Sequence, residues 1–149
     1  MFLDIEDIID KITERYQTPV RVAQSCESNT YYRVEDLDSE ELEVCAQILA
    51  ERVQNVCTPN KPHILVHLKN YCELAELLGK ELALPGEEME VVCIDQIKPG
   101  GNGITHRIKN ANVIIVNEVI TTGRSCLEGH SQVTMMGGNI ICWASIVDR

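Results

Sequence analysis

The sequence predicts an α/β domain: a mostly parallel sheet with helices on both faces and a small N-terminal hood. Three observations carry this. From residue 63 onward, short continuous apolar runs alternate with helical patterns. Strands apolar on both faces belong to parallel sheets covered on both sides. One run, Val113-Ile114-Ile115-Val116, is four β-branched residues in succession, as a buried strand requires. A polar pair and a hydroxyl- and glycine-rich turn follow it before the next helical pattern, which is how a strand hands over to a helix in such sheets.

The elements follow in order. Leu3, Ile5, Ile8, Ile9 and Ile12 recur at helical spacing, predicting a helix from Leu3 to Tyr16 that Pro19 stops. Val20 to Ala23 and Thr30 to Val34 are β-prone and flank the polar stretch Gln24 to Asn29, which reads as a hairpin or a small irregular layer. Asp38 or Ser39 caps a second helix, Glu40 to Asn55, with Leu42, Cys45, Ala46, Leu49 and Val53 on one face. His63 to Leu68 is the first core strand and Tyr71 to Leu82 a helix. Met89 to Asp95 is the second strand, and the loop Pro99-Gly100-Gly101-Asn102-Gly103 follows. After the third strand, Arg124 to Met136 is a helix ended by Gly137-Gly138, and Ile140 to Val147 is the fourth strand. The chain is expected to be one domain over 1–149, with 1–60 as hood and cap and 61–149 as core.

Composition narrows the function classes. The 149 residues hold 44% hydrophobic and 24% charged residues, as a folded domain does. The net charge of −10 opposes non-specific binding to nucleic acid or to an anionic membrane. One Phe, one Trp and four Tyr are too few for a base-stacking platform. No apolar run approaches the ~20 residues of a membrane span. The acidic, amphipathic start MFLDIEDIIDKITERY is not a secretory signal, so a cytoplasmic protein is expected. The seven cysteines, Cys26, Cys45, Cys57, Cys72, Cys93, Cys126 and Cys142, include no CxxC pair. They read as reduced thiols that pack as small hydrophobes, not as a zinc site.

The most informative stretch is Val113-Ile114-Ile115-Val116-Asn117-Glu118-Val119-Ile120-Thr121-Thr122-Gly123-Arg124-Ser125. A helix N-terminus offers N–H groups and partial positive charge to a phosphate. Thr121, Thr122 and Ser125 add hydroxyls, and Gly123 admits close backbone approach. The plain alternative is an ordinary β-turn-α connection with a threonine cap.

This stretch resembles the signature of type I phosphoribosyltransferases: four apolar residues, two acidic, two apolar, then Thr-Thr-Gly. The resemblance implies a Rossmann-like sheet and a loop that cradles the 5-phosphate of phosphoribosyl pyrophosphate or of a nucleotide. It assigns the ribose and 5-phosphate to Asn117, Glu118, Thr121, Thr122, Gly123, Arg124 and Ser125. Ser25-Cys26-Glu27-Ser28-Asn29-Thr30-Tyr31-Tyr32 resembles the hood segment of the orotate branch, and Val147-Asp148-Arg149 resembles the Val-Asp-Arg that closes its next core strand. Ser28, Tyr31, Tyr32 and Arg149 are then expected at the base. Lys69, Asn70 and His106 are expected at the pyrophosphate, and Lys98 is the expected catalytic residue. The resemblance implies transfer of phosphoribose to a pyrimidine base, with magnesium held mainly through the pyrophosphate, in a homodimer. In such chemistry the anomeric carbon becomes oxocarbenium-like, and catalysis is positioning and electrostatics without a protein nucleophile.

The sequence departs from that pattern in named places. Asn117 stands at the first acidic position and removes a negative charge. Glu118 is one methylene longer than the usual Asp. The loop His67-Leu68-Lys69-Asn70-Tyr71-Cys72-Glu73 has no glycine to wrap a pyrophosphate, and Ile94-Asp95-Gln96-Ile97-Lys98 keeps only the last lysine of the branch's basic run. The sequence ends at Arg149, where the family usually continues with further strand and helix. The glycine-free first loop and Asn117 favour an alternative: a non-catalytic relative that binds a phosphoribosyl ligand or nucleotide as a sensor or regulatory module. A third reading is a partner-binding domain that keeps only the fold.

Other motifs read more plainly. Gly100-Gly101-Asn102-Gly103 lacks the following helix of a dinucleotide fingerprint and is a flexible loop. His63 and His67 share a strand face, with a structural role ahead of a metal pair. His130 reads as a surface residue. Cys126 lies in a helix's first turn, where the dipole lowers a thiol pKa, although packing is the default. Glu35 to Glu43 is a solvated helix start.

Overall fold

The computed structural model describes residues 4–23, 26–57, 61–68, 73–94, 107–120 and 122–148. The first helix, α1, is Ile5–Ile12, capped by Asp4, whose carboxylate accepts from the Glu6 N–H at 3.0 Å. It buries Ile8 and Ile12. The helix ends before the expected Tyr16, and Pro19 is not what stops it. Thr13 turns to extended backbone and its hydroxyl donates to the Ile9 carbonyl, while the Ile12 carbonyl accepts from the Arg33 N–H at 2.7 Å. Pairing across the hairpin therefore takes over where the helical ladder would have continued.

That hairpin joins β1, Thr13–Ala23, to β2, Cys26–Tyr32, antiparallel. Its register slips between Arg15 and Val20, the interval that holds Pro19, because proline has no N–H for the ladder. The polar residues Cys26 to Asn29, read as a connection, are strand instead. Backbone pairing here overrides a composition that favours turns. Val34, expected at a strand end, opens a short 3₁₀ turn to Asp36.

Asp38 is the cap of α2, Ser39–Cys57. Its carboxylate accepts from the Glu41 N–H at 2.9 Å, and the Glu41 carboxylate accepts from the Asp38 N–H at 3.0 Å. This reciprocal box satisfies two donors of the helix start. Glu41 is buried and also receives the Lys11 ammonium of α1, which holds the Lys11 pKa above its ordinary value.

The core sheet contains β3 Ile64–His67, β4 Glu90–Cys93, β5 Asn112–Ile120 and β6 Asn139–Asp148. Its order is β4-β3-β5-β6 and every pairing is parallel. Helix α3 is Glu73–Leu82, and α4 is Arg124–Met135. Alternation along the strands sends Leu65, Ile114 and Val116 into one cluster with α2 and α3, and Ile64, Val66 and Val113 into another with Ile108 and Val133 of α4. The sheet is thus covered on both faces, as the apolar strands required. Helix α4 approaches closely at Gly129, where a Cβ would lie 2.7 Å from Leu68 Cδ2. Strand β5 runs past Val116 through Asn117 and Glu118 to Ile120, because β6 pairs with it as far as Asp148.

Cys45, Cys57 and Cys126 are free and buried, and Cys142 is free and half-buried. Cys93, at the end of β4, is disulfide-bonded, so not all seven cysteines are thiols. Among the described residues, no helix is long and apolar enough to cross a membrane.

Candidate functional site

Strand β3 has β4 on one side and β5 on the other, so the chain's winding reverses between β3 and β5. In open α/β sheets that reversal leaves a crevice at the carboxyl ends of the strands. The last residue of β3 is His67, and the polar residues of β5 are Asn117 and Glu118.

Glu118 follows Ile114 and Val116 at every second position, on the α2 and α3 face. Its Oε1 lies 2.9 Å from His67 Nε2. Their relative exposures are 2% for Glu118 and 0% for His67. A buried carboxylate is costly unless paired, and the imidazole supplies a hydrogen-bonding partner. Asn117 points to the opposite face, is 9% exposed, and its Oδ1 has no hydrogen-bond partner among the described residues. The two signature residues therefore face opposite sides of the sheet, with Glu118 engaged by His67 through Oε1.

Beyond β5, Gly123 caps α4 with φ +78°, a left-handed backbone that glycine adopts without a Cβ penalty. The Thr122 hydroxyl accepts from the Arg124 N–H at 3.3 Å, and the Leu127 N–H donates to the Gly123 carbonyl. Thr122, Arg124 and Ser125 are exposed and the first turn of α4 carries no acidic residue. Arg124 forms an i,i+4 ion pair with Glu128 at 3.4 Å. The turn is open to solvent and has the polarity an anion needs.

Cys126 in that first turn is not activated. Burial pushes its thiol up, and the Asp148 carboxylate adds to the shift. Desolvation of the thiolate outweighs the helix dipole here.

Several expected site residues, Lys69, Asn70, Lys98, His106, Thr121 and Arg149, lie outside the described residues, as does the loop Gly100 to Gly103. Ser28 and Tyr31 lie on β2, and their side chains are also outside the described part. Tyr32 is half-buried and packs against the main core cluster.

Sequence reasoning missed two contacts. His63 and His67 were paired as neighbours on one face, yet they part company: His63 Nδ1 accepts from the Asn112 N–H at 2.9 Å and fixes the start of β5, while His67 meets Glu118. The alternation along β3 was the available signal, but the partner lies 51 residues away. The second is Trp143 of β6, 37% exposed, whose ring stands edge-on to His130 at 6.0 Å. Trp143 Cζ3 is 4.0 Å from where a Cβ on Gly123 would lie, so an aromatic edge borders the turn.

No group of three or more His, Cys, Asp or Glu converges among the described residues. The described residues by themselves form no cage for a divalent ion.

The fold has many counterparts among solved structures. Orotate phosphoribosyltransferase from Aeropyrum pernix superposes with a TM-score of 0.68 at 15% identity, covering 97% of this chain and 94% of that one. The Mycobacterium tuberculosis orotate phosphoribosyltransferase in complex with inorganic phosphate gives 0.59 at 16% identity, covering 97% and 81%. A hypoxanthine-guanine phosphoribosyltransferase from Bacillus anthracis gives 0.51 at 15% identity, covering 76% and 70%. No family model and no curated protein sequence matches the chain. The chain has the type I phosphoribosyltransferase fold.

Proposed function

We propose that this chain is a phosphoribosyltransferase of the orotate type, which holds the 5-phosphate of phosphoribosyl pyrophosphate on the Thr121 to Ser125 turn and transfers phosphoribose to a pyrimidine base in nucleotide synthesis. The observation that carries this reading is the open, acid-free turn at the N-terminus of α4, placed at the carboxyl end of β5. Its support is the likeness in fold to orotate phosphoribosyltransferases, one of them solved with inorganic phosphate.

In this reading the helix N–H groups and hydroxyls neutralise the phosphate, and Asn117 Oδ1 accepts from a ribose hydroxyl. The C1–pyrophosphate bond breaks as a base nitrogen attacks, and Lys98, Lys69, Asn70 and His106 attend the leaving pyrophosphate. Magnesium would be held mainly through phosphoribosyl pyrophosphate and would neutralise charge on the leaving group. Ser28, Tyr31, Tyr32 and Arg149 attend the base. A homodimer completes the proposal, and sedimentation at micromolar concentration tests it: a monomer argues against shared active-site residues.

One observation favours a second reading, binding without catalysis. Glu118, the remaining carboxylate of the signature, is enclosed with His67, and Asn117 carries no charge. The positive charge of an oxocarbenium-like transition state would then lack its usual electrostatic partner. Titration calorimetry with phosphoribosyl pyrophosphate plus magnesium, and with orotidine and uridine monophosphates, tests binding. A coupled orotate assay then separates the readings. Binding with turnover supports the transferase, binding without turnover supports the sensor, and no binding overturns both.

A further inference from the structure

The C-terminal end of α2 and the first half of β6 bring two thiols together. Cys57, the last residue of α2, and Cys142 of β6 have their sulfurs 3.6 Å apart across 85 residues of chain. Both are free. Cys57 is 5% exposed, and Cys142 is half-buried, so a small solute reaches the pair from the Cys142 side. We propose that Cys57 and Cys142 are a peroxide-oxidation site that closes to a disulfide, stapling the end of α2 to β6.

The sulfurs need to approach by roughly 1.5 Å to reach bonding distance. Cys57 sits at a helix terminus, where the backbone yields more readily than in the interior. The chemistry balances with hydrogen peroxide as oxidant. One thiolate attacks a peroxide oxygen, the O–O bond breaks, and a sulfenic acid and hydroxide form. The second sulfur then attacks the sulfenic sulfur and the S–O bond breaks. Its leaving oxygen departs as water once protonated. Two thiols are oxidised to one disulfide and one peroxide is reduced to two waters. Burial and the neighbouring Cys57 push the Cys142 thiol up to about 12, so thiolate is scarce at neutral pH and closure is slow.

The site is separate from the candidate active site. Cys142 pairs in register with Ile114, whereas Asn117 pairs with Ser145 further along the strands. The staple lies on the face of β6 that packs against α2, and its expected readout is stability. Cross-linking ends so distant in sequence restricts the unfolded chain, and a thermal midpoint higher by roughly 5–10 °C is expected.

The test uses the full folded chain. It is treated with hydrogen peroxide, quenched, unfolded in urea with a maleimide cap, and digested without reduction for mass spectrometry. The expected result is a linked peptide pair containing Cys57 and Cys142, less two hydrogens, while Cys45 and Cys126 still take maleimide. The thermal midpoint rises in step with the link, and Cys57→Ser or Cys142→Ser removes the rise. Recovery of Cys57 and Cys142 as maleimide adducts or sulfinic acids, with no linked peptide, overturns the proposal. So does a link that forms only when peroxide is added to the urea-unfolded chain. The peptide map is read on the native sequence, so the test stands even if a serine variant does not fold.

Discussion

His67 of β3 and Glu118 of β5 meet at 2.9 Å in the interior of the sheet's carboxyl end, with both side chains enclosed. A ring nitrogen and a carboxylate oxygen so placed settle the direction of Glu118. It is bound to the strand beside it and is not presented to solvent. The hydrogen bond joins the end of β3 to β5 below the candidate site.

This pair makes the first prediction. His67→Ala removes the imidazole from Glu118 Oε1, and losing one hydrogen-bond partner inside the protein costs about 1–3 kcal/mol. Replacing both residues by leucine is expected to recover much of that loss, because neither polar side chain is then buried without the other. Urea denaturation of the single and double variants measures both. A loss below about 0.5 kcal/mol for His67→Ala would sink the idea.

Asn117→Asp separates catalysis from binding. A carboxylate there would act on positive charge that develops only as the glycosidic bond breaks, so it acts on the transition state more than on the ground state. If the chain is a transferase, turnover is expected to rise roughly tenfold or more, with a smaller change in donor affinity. If it is a sensor, the substitution shifts affinity slightly and creates no turnover. Steady-state assays with orotate, uracil and purine bases read the difference. Robust native turnover untouched by Asn117→Asp would show that the amide is no defect.

The third prediction concerns the phosphate turn. Gly123 has φ +78° and the nearest neighbour of an added Cβ is Trp143 at 4.0 Å, an ordinary contact. Gly123→Ala is therefore penalised by backbone conformation and not by a clash, at about 1–2 kcal/mol. Asparagine tolerates this conformation better, so Gly123→Asn should cost less. Thermal unfolding measures the stability, and calorimetry with inorganic phosphate follows the site. Equal stability of the alanine and native proteins would argue against the left-handed cap.

Asp38→Ala removes one half of the reciprocal cap on α2, the carboxylate that accepts from the Glu41 N–H, and leaves the backbone N–H of residue 38 donating to Glu41. Loss of such a cap costs about 1 kcal/mol. Asp38→Asn or Asp38→Ser should restore most of it, since either side chain accepts from the same N–H. Denaturation midpoints decide, and an unchanged midpoint in the alanine variant would show that the box contributes nothing.

Much of this architecture was legible in local pattern. Apolar runs of strand length fixed β3, β5 and β6, helical spacing fixed α2 and α4, and Asp38 with Glu41 three residues on marked the start of α2. The hydroxyl- and glycine-rich turn before Arg124 was equally plain. Each of these rests on interactions between residues a few positions apart, which a sequence displays directly.

Tertiary structure decided what depends on distant partners. Helix α1 stops at Ile12 because the Arg33 N–H takes its carbonyl, and the polar residues Cys26 to Asn29 become strand because β1 lies beside them. Glu118 turns inward because His67, 51 residues away, stands on the neighbouring strand. Cys57 and Cys142 face each other across 85 residues because α2 packs on β6. Composition and spacing name the groups available for such contacts. The order of strands in the sheet, and the faces that helices bury, choose which of those groups meet.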